Sequence, residues 1–279
     1  KLPVSAHDEF PVGTGVAVEP IQRLGYSIPE RVGMSSELLA EVDTLVQQGL
    51  DSLMFPGAQV LIARKGKVIY NKNFGHPTYD SEEGISEESI YDLASLTKIL
   101  STLPMIMKME EEGKIALNDT FKDLIPAYAD TELKDVSVLK ALSHYGRLPS
   151  WIAFYLDTLD KDRKPSSEFY SPNPSEAFPY KVAEHLYLTR SYKDSIYNRI
   201  GRQSLKSNRY RYSDVGYYVF KEYIEKTYGR PIDELVNEFL YRPMGLQRTT
   251  FNPLKKFSKE EIVPSEEDDY YRYQTVQGY

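Results

Sequence analysis

Apolar residues recur at helical spacing in the stretch that begins at Met34, MSSELLAEVDTLVQQGL. Serines stand before the first apolar residue of this stretch, and serine is favoured where a helix begins. The pattern therefore predicts an amphipathic helix. Its apolar face would be formed by Leu38, Leu39, Val42, Leu45 and Val46.

Two short runs rich in β-branched residues follow, at 59–64 and 67–71. Lys65 and Gly66 separate them, and glycine permits the backbone angles of a tight two-residue turn. These residues predict a β-hairpin.

The next periodic segment is SLTKILSTLPMIMKMEEEG, which runs from Ser95 to Gly113. Its spacing predicts a helix that ends at the glycine, with a kink at Pro104. Residues 115–255 lack strand alternation and show further helical segments, including 181–200 and 213–228. The predicted order is a helix, a hairpin and a long helical insertion.

The first 33 residues carry several prolines and glycines without periodicity, which predicts an extended linker. Residues 34–279 are expected to form one domain. Within it we expect a sheet-and-helix part at 34–98, a mainly helical part at 99–255, and the start of a return to the sheet at 256–279.

The composition is that of a globular protein: 279 residues, 41% hydrophobic and 27% charged, with a net charge of -7. Clustered basic residues, which nucleic-acid binding requires, are not evident. The chain has no cysteine, which excludes thiolate chemistry and disulfides. No apolar run reaches the roughly 20 residues of a membrane span. The four histidines are scattered singly, so neither a metal site nor a cofactor is predicted.

Ser95 and Lys98 stand three positions apart, a spacing that places two side chains on one face of a helix. A serine hydroxyl becomes a good nucleophile when a neighbour accepts its proton, and a partly desolvated lysine can have its pKa lowered enough to do so. If Ser95 begins the helix, its backbone N–H can also help to bind an oxyanion. The alternative is a capping serine followed by a surface lysine.

Ser137 and Lys140 form a second pair with this spacing, and there we interpret the serine as a helix cap beside a solvated lysine. Further along, Tyr212, Ser213 and Asp214 stand where a loop enters a helix. Capping by Ser213 or Asp214 is the simpler interpretation. A tyrosine close to a lysine can also have its phenol pKa lowered and act as a base.

Together these motifs resemble the superfamily of serine β-lactamases and penicillin-binding proteins, on the side of class C enzymes, D,D-peptidases and esterases. The resemblance covers roughly residues 34–279. The initial helix, the hairpin ending in NFG, the motif YDLASLTK, a helical insertion and the Tyr-Ser-Asp motif occur in the family's order. LSHYGRLPSW stands where relatives often carry Thr-His-x-x-Gly-Leu.

The resemblance implies an α/β (α+β) fold of the β-lactamase/transpeptidase type, with an antiparallel sheet flanked by helices and a largely helical inserted subdomain. It implies a serine acyl hydrolase that forms an acyl-enzyme at Ser95 with an ester or a peptide-like amide. Lys98 and Tyr212 would share the proton transfers, and Asp214 would orient Lys98. No cofactor or metal is implied.

Two positions depart from the family pattern. Asp214 stands where class C enzymes have asparagine, and a carboxylate cannot donate the amide N–H that would meet a substrate carbonyl. Arg147 stands where the histidine segment usually has glycine, which predicts a different turn and a cation near the site.

The family's third motif, Lys-Thr-Gly or His-x-Gly on a later strand, is not found after Tyr212. His144-Tyr145-Gly146 precedes Tyr212 and is therefore in the wrong order. We expect the chain to be truncated before the last strands, with weak or no activity, and with oligomerisation or completion by a separate chain.

The segment LPVSAHDEFPVGTG resembles the linker that precedes such domains when they are fused to a family 3 glycoside hydrolase. The rival to an enzyme is therefore a non-catalytic accessory module attached to such a hydrolase. By resemblance, a cell-wall-derived or small-molecule substrate and a periplasmic or secreted location are expected. A nucleic-acid partner is not.

Overall fold

The computed structural model describes residues 24–279, which divide into a first unit ending at Ser89 and a second unit at 90–279. Each unit combines helices with paired strands, and apart from the β1–β3 pair every strand pairing is antiparallel. The regular elements of the first unit are β1 (Gly25–Tyr26), α1 (Ser36–Asp51), β2 (Gly57–Arg64) and β3 (Lys67–Gly75).

The first unit confirms the predicted helix and hairpin. The Ser35 hydroxyl accepts a hydrogen bond from the Leu38 N–H and caps α1. Strands β2 and β3 are antiparallel, and Lys65 and Gly66 between them both have positive φ, at 50° and 71°. Two consecutive residues of this kind make the hairpin turn that matches the natural twist of paired strands.

Part of the predicted linker is structured. Strand β1 runs parallel to β3, and its Gly25 N–H donates to the Gly66 carbonyl at 3.1 Å. A 3₁₀ turn at Pro29–Val32 follows. These elements are too short to produce a periodic sequence pattern, which is why the prediction missed them. Residues 1–23, including the segment compared with glycosidase-fusion linkers, lie outside the described residues.

The second unit is mainly helical and has two small sheets. Its helices are α2 (Leu103–Glu111), α3 (Phe121–Leu124), α4 (Val138–Leu142), α5 (Tyr192–Gly201), α6 (Val215–Tyr228) and α7 (Ile232–Val236). Its strands are β4 (Tyr170–Ser171), β5 (Tyr180–Ala183), β6 (Leu186–Leu188), β7 (Glu266–Asp268) and β8 (Gln274–Val276). Single helical turns of 3₁₀ type occur at Pro126–Tyr128, Phe154–Thr158, Pro253–Lys255 and Lys259–Glu261, and π-helical turns at Lys98–Thr102 and Asn237–Tyr241.

Helix α6 passes through the core of this unit. Val215, Val219 and Ile224 are fully buried. Phe220 is also fully buried and meets Phe121 of α3 edge to face at 6.3 Å between ring centroids. Gly216 lies against Ala141 of α4, where an added Cβ would stand 3.2 Å from the alanine Cβ. This packing fixes the first turn of α6, which follows directly after Asp214.

The prediction of a helix across 181–200 is wrong in its first half. Strands β5 and β6 occupy 180–188 and form an antiparallel sheet in the order β4-β6-β5, and α5 begins only at Tyr192. Strands of two to four residues offer too few positions for alternation to be recognised. The predicted helix at 213–228 is confirmed as α6.

The segment from Ser95 to Gly113 is helical, as predicted, but Pro104 does not break a regular helix. A π-helical turn at Lys98–Thr102 precedes it, and α2 then begins at Leu103. Pro104 therefore lies in the first turn of α2, where its missing N–H costs little. Within residues 24–279, no helix is both long and apolar enough to cross a membrane.

Candidate active site

Ser95 lies in the turn that leads into the π-helical segment. The Asp92 carboxylate accepts a hydrogen bond from the Ala94 N–H at 2.8 Å, and the Lys98 N–H donates to the Ser95 carbonyl at 3.0 Å. Ala94 has a φ of 43°, in the left-handed region that L-residues with a Cβ rarely adopt. The Ser95 side chain is exposed. A tight turn therefore presents this serine at the surface.

Lys98 connects the two predicted motifs. Its Nζ donates to Ser95 Oγ at 2.9 Å and lies 2.7 Å from Asp214 Oδ1, and its side chain is only 14% exposed. The same Nζ lies 5.1 Å from the centroid of the Tyr212 ring. The structure thus brings all four predicted site residues together around one ammonium group.

The expectation of a lowered lysine pKa is wrong. Burial lowers the pKa of Lys98, but its hydrogen bonds to Asp214 and Tyr212, together with their negative charge, outweigh burial and raise it. Lys98 is therefore held as a cation. In this state it donates to the serine oxygen and stabilises negative charge there, but it cannot accept the proton of the serine.

Tyr212 has the opposite shift. Its hydrogen bonds with Ser95 and then with Lys98 lower the pKa of its phenol from the ordinary 10.0. A phenol with a lowered pKa gives up its proton more readily, and the resulting phenolate can accept the proton of a neighbouring hydroxyl. Of the two predicted proton carriers, Tyr212 is the one whose charge state suits a base.

The Tyr-Ser-Asp motif is fixed by Ser213. The Ser213 hydroxyl donates to the Pro149 carbonyl at 2.6 Å and accepts from the Val215 N–H at 3.1 Å. The Asp214 N–H donates to the Ser150 carbonyl at 2.8 Å. The capping interpretation thus applies to Ser213. The Asp214 side chain makes no capping bond and is directed to Lys98 instead.

The second Ser-x-x-Lys pair has the predicted structural role. The Ser137 hydroxyl accepts a hydrogen bond from the Lys140 N–H at 3.3 Å and caps α4. The Lys140 side chain is exposed.

Sequence reasoning missed His144. Its Nδ1 accepts the Ser213 N–H at 3.2 Å, and its ring lies 4.5 Å from the Tyr212 ring. Burial, followed by the charge of Lys98, lowers the pKa of His144, so the neutral ring is favoured. A lone histidine has no diagnostic spacing, and only its place in the segment LSHYGRLPSW pointed towards the site.

Arg147 does not direct its charge to Lys98 or Ser95. Its Nε donates to the Lys206 carbonyl at 2.7 Å, and the Lys206 N–H returns a bond of 2.7 Å to the Arg147 carbonyl. The φ of Arg147 is 60°, in the region that glycine adopts without strain.

A cleft of about 540 Å³ opens beside Ser95, Lys98 and Asp214, and its far side is formed by α5, α6, β5 and β6. Residues 24–279 contain no group of three or more histidine, aspartate or glutamate side chains that could hold a metal ion. The arrangement of Ser95, Lys98, Tyr212 and Asp214 is suited to nucleophilic attack by a serine assisted by a base and a cation.

The chain belongs to the beta-lactamase family, whose sequence model matches residues 42–263. Among curated proteins it is 27% identical over 269 residues to the "Putative D-alanyl-D-alanine carboxypeptidase" of Escherichia coli K12, covering 91% of this chain and 57% of that protein. It is 26% identical over 251 residues to the N-acetylmuramyl-L-alanine amidase of Bacillus subtilis 168, covering 85% of this chain and 52% of that protein. The chain therefore spans little more than half the length of these relatives.

Solved structures show the same fold. A penicillin-binding protein homologue from Pyrococcus abyssi, described as octameric, superposes with a TM-score of 0.61 at 21% identity, over 86% of this chain and 50% of that one. A hydrolase described as having promiscuous acyltransferase activity superposes with a TM-score of 0.60 at 20% identity, over 86% of this chain and 58% of that one. Two class C β-lactamases are also among the solved structures that share this fold, with TM-scores of 0.52 and 0.53 at 13% and 17% identity.

Proposed function

We propose that this chain is a serine acyl hydrolase in which Ser95 forms an acyl-enzyme with an ester or a peptide-like amide. The observation that carries the proposal is the position of Lys98 Nζ, 2.9 Å from Ser95 Oγ and 2.7 Å from Asp214 Oδ1. A cation in this place stabilises the serine oxygen as it loses its proton, and Asp214 keeps the cation in position.

In the first half of the reaction, the Tyr212 phenolate accepts the proton of Ser95 while Oγ bonds to the substrate carbonyl carbon. The carbonyl π electrons move to oxygen and give a tetrahedral oxyanion, towards which the Ser95 N–H is expected to point. When the carbonyl forms again, the bond to the leaving group breaks, and the leaving group takes the proton from Tyr212. In the second half, water bonds to the acyl carbonyl carbon while the Tyr212 phenolate accepts its proton. The bond from that carbon to Ser95 Oγ then breaks, Oγ takes the proton from Tyr212, and the carboxylic acid leaves.

The test is covalent labelling. Incubation with a fluorophosphonate should add one adduct to the intact chain by mass spectrometry, and peptide mapping should place it on Ser95. Ser137 serves as an internal control because it has the same spacing to a lysine. An adduct in the peptide that contains Ser137 would overturn the assignment, and the absence of any adduct would favour the non-catalytic accessory module.

We propose the substrate class and the location from the relatives' names. The curated relatives are named as a D-alanyl-D-alanine carboxypeptidase and an N-acetylmuramyl-L-alanine amidase, which supports cell-wall-derived substrates and a periplasmic or secreted location for this chain. Hydrolysis of muropeptide fragments, followed by mass spectrometry, tests the first point. Fractionation of the cells that produce the protein tests the second.

The rate of acylation by an aryl ester is expected to rise with pH, because the phenolate of Tyr212 is the reactive form. The hydrogen bonds from Ser95 and Lys98 lower the pKa of Tyr212, so the rise should be centred below the ordinary 10.0. The raised pKa of Lys98 keeps the ammonium charged through this rise.

A profile of kcat/KM against pH measures the centre of this rise. Lys98→Ala should move the centre upward, because one cause of the lowered pKa is removed, whereas Lys140→Ala should leave it in place. A rise that persists unchanged in Tyr212→Phe would assign the titration to another group.

Hydrolysis of β-lactams is expected to be slow compared with that of a simple aryl ester. The Asp214 carboxylate is bonded to Lys98 and has no N–H to donate to a substrate carbonyl. Asp214→Asn supplies such a donor and should improve the ratio of β-lactam to ester hydrolysis. Rapid turnover of a chromogenic cephalosporin by the unaltered chain would contradict this explanation.

A further inference from the structure

The cleft beside Ser95 has one wall that is largely apolar. Strands β5 and β6 contribute Tyr180 and Leu188, helix α5 contributes Ile196 and Tyr197, and α6 contributes Tyr217 and Tyr218. Ser95 and Lys98 border the same cleft. A substrate carbonyl at Ser95 would therefore place its attached group against this wall.

Two aromatic side chains of this wall are exposed to solvent. Tyr180 and Tyr218 are each 39% exposed, which is high for aromatic side chains that line a cavity. The Tyr218 ring is supported by Phe154, which meets it edge to face at 5.4 Å. Covering these rings with an apolar ligand would remove apolar surface from water, which favours binding.

The cations of the cleft are already paired. Lys193 Nζ lies 3.1 Å from Glu222 Oε2, and Lys221 Nζ lies 2.6 Å from Glu225 Oε2. Asp214 adds a negative charge beside Lys98. A carboxylate on the substrate would have to displace a glutamate from its lysine or approach Asp214, and neither favours an anionic ligand.

We infer that this cleft binds an uncharged aliphatic or aromatic acyl group, so that neutral esters of medium-chain or aromatic carboxylic acids are the preferred substrates. The inference rests on the proposed acyl hydrolase function of Ser95 and selects neutral esters over the carboxylate-bearing cell-wall fragments that the relatives' names suggest. The acyl carbonyl meets Ser95, the hydrocarbon part extends along Ile196 and Tyr218, and the alcohol leaves towards solvent.

The experiment measures kcat/KM for p-nitrophenyl esters of acetic, butyric and hexanoic acid. Each methylene that becomes buried should raise kcat/KM by about fourfold, so that butyrate should exceed acetate by about tenfold or more. A p-nitrophenyl ester with a terminal carboxylate on an acyl chain of the same length should react at least about tenfold more slowly than its neutral counterpart.

Ile196→Ala removes part of the wall and should lower kcat/KM for the hexanoate more than for the acetate, so that the advantage of the longer esters decreases. Met244→Ala is the matched control, since Met244 is an exposed side chain of similar size that does not line the cleft. It should preserve the chain-length dependence.

The outcomes separate the two proposals. If acetate acylates Ser95 but chain length has no effect, the apolar acyl site is wrong and the serine hydrolase remains. If neither these esters nor the fluorophosphonate modifies Ser95, the proposed function is wrong, and binding of p-nitrophenyl hexanoate to Ser95→Ala, followed by calorimetry, decides the site alone. Binding that Ile196→Ala weakens and Met244→Ala preserves would support it, and equal binding in both would overturn it.

Discussion

Replacing Ser95 with alanine is expected to lower the hydrolysis of an activated aryl ester by at least about 10³-fold, because the atom that forms the acyl-enzyme is removed. The remaining groups can still stabilise charge, so a small residual rate above that of water is expected. Steady-state kinetics with p-nitrophenyl acetate measure the loss, and circular dichroism checks that the variant is folded.

Ser137→Ala provides the matched control. It removes a hydroxyl from an identical Ser-x-x-Lys spacing, where the hydroxyl caps α4 and does not contact a lysine ammonium in the described hydrogen bonds. Its expected effect is a loss of stability of about 1 kcal/mol, with ester hydrolysis close to normal. Full activity in Ser95→Ala would remove the basis for the proposed function.

Lys98→Ala and Tyr212→Phe are each expected to slow acylation by a factor on the order of 10² or more. The first removes the cation that stabilises the serine oxygen. The second removes the phenol oxygen, which in its deprotonated form accepts the serine proton. Because the cation also lowers the pKa of Tyr212, the two changes act on one step, and the double variant should lose less than the product of the single losses.

Pre-steady-state release of p-nitrophenol measures acylation directly. Lys140→Ala and Tyr210→Phe are the matched controls, since both side chains are exposed and neither contacts Ser95 in the described bonds. Near-normal acylation in both Lys98→Ala and Tyr212→Phe would refute the assignment of the proton transfers. Strictly multiplicative losses would refute the coupling between them.

Long periodic patterns were sufficient to predict α1 and α6 from the sequence. Two runs of β-branched residues with a glycine turn between them were sufficient to predict the β2–β3 hairpin. The small sheet at 170–188 was missed because its strands have only two to four residues, which is too few for alternation to be recognised. The domain boundaries as a whole, and the idea that 256–279 begins a return to the larger sheet, stay predictions, although β7 and β8 in that region pair with each other.

The sequence predicted which four side chains lie together, but it did not predict how their charges balance. The Ser95–Lys98 contact follows from helical spacing, and Tyr212 and Asp214 entered through motif order. The predicted direction of the Lys98 pKa shift was wrong. The shift depends on the balance between burial and the contact with Asp214, and a short sequence pattern does not contain that balance. His144 was missed for a similar reason, since its partners are distant in the sequence.

The positive φ of Ala94 links the stability of this turn to the placement of Ser95. A left-handed conformation costs an alanine about 1–2 kcal/mol, which the surrounding hydrogen bonds must offset to hold the next residue in place. Glycine at position 94 would relieve that cost and would also free the backbone to leave the turn. Ala94→Gly is therefore expected to relieve backbone strain and at the same time to hold Ser95 less firmly.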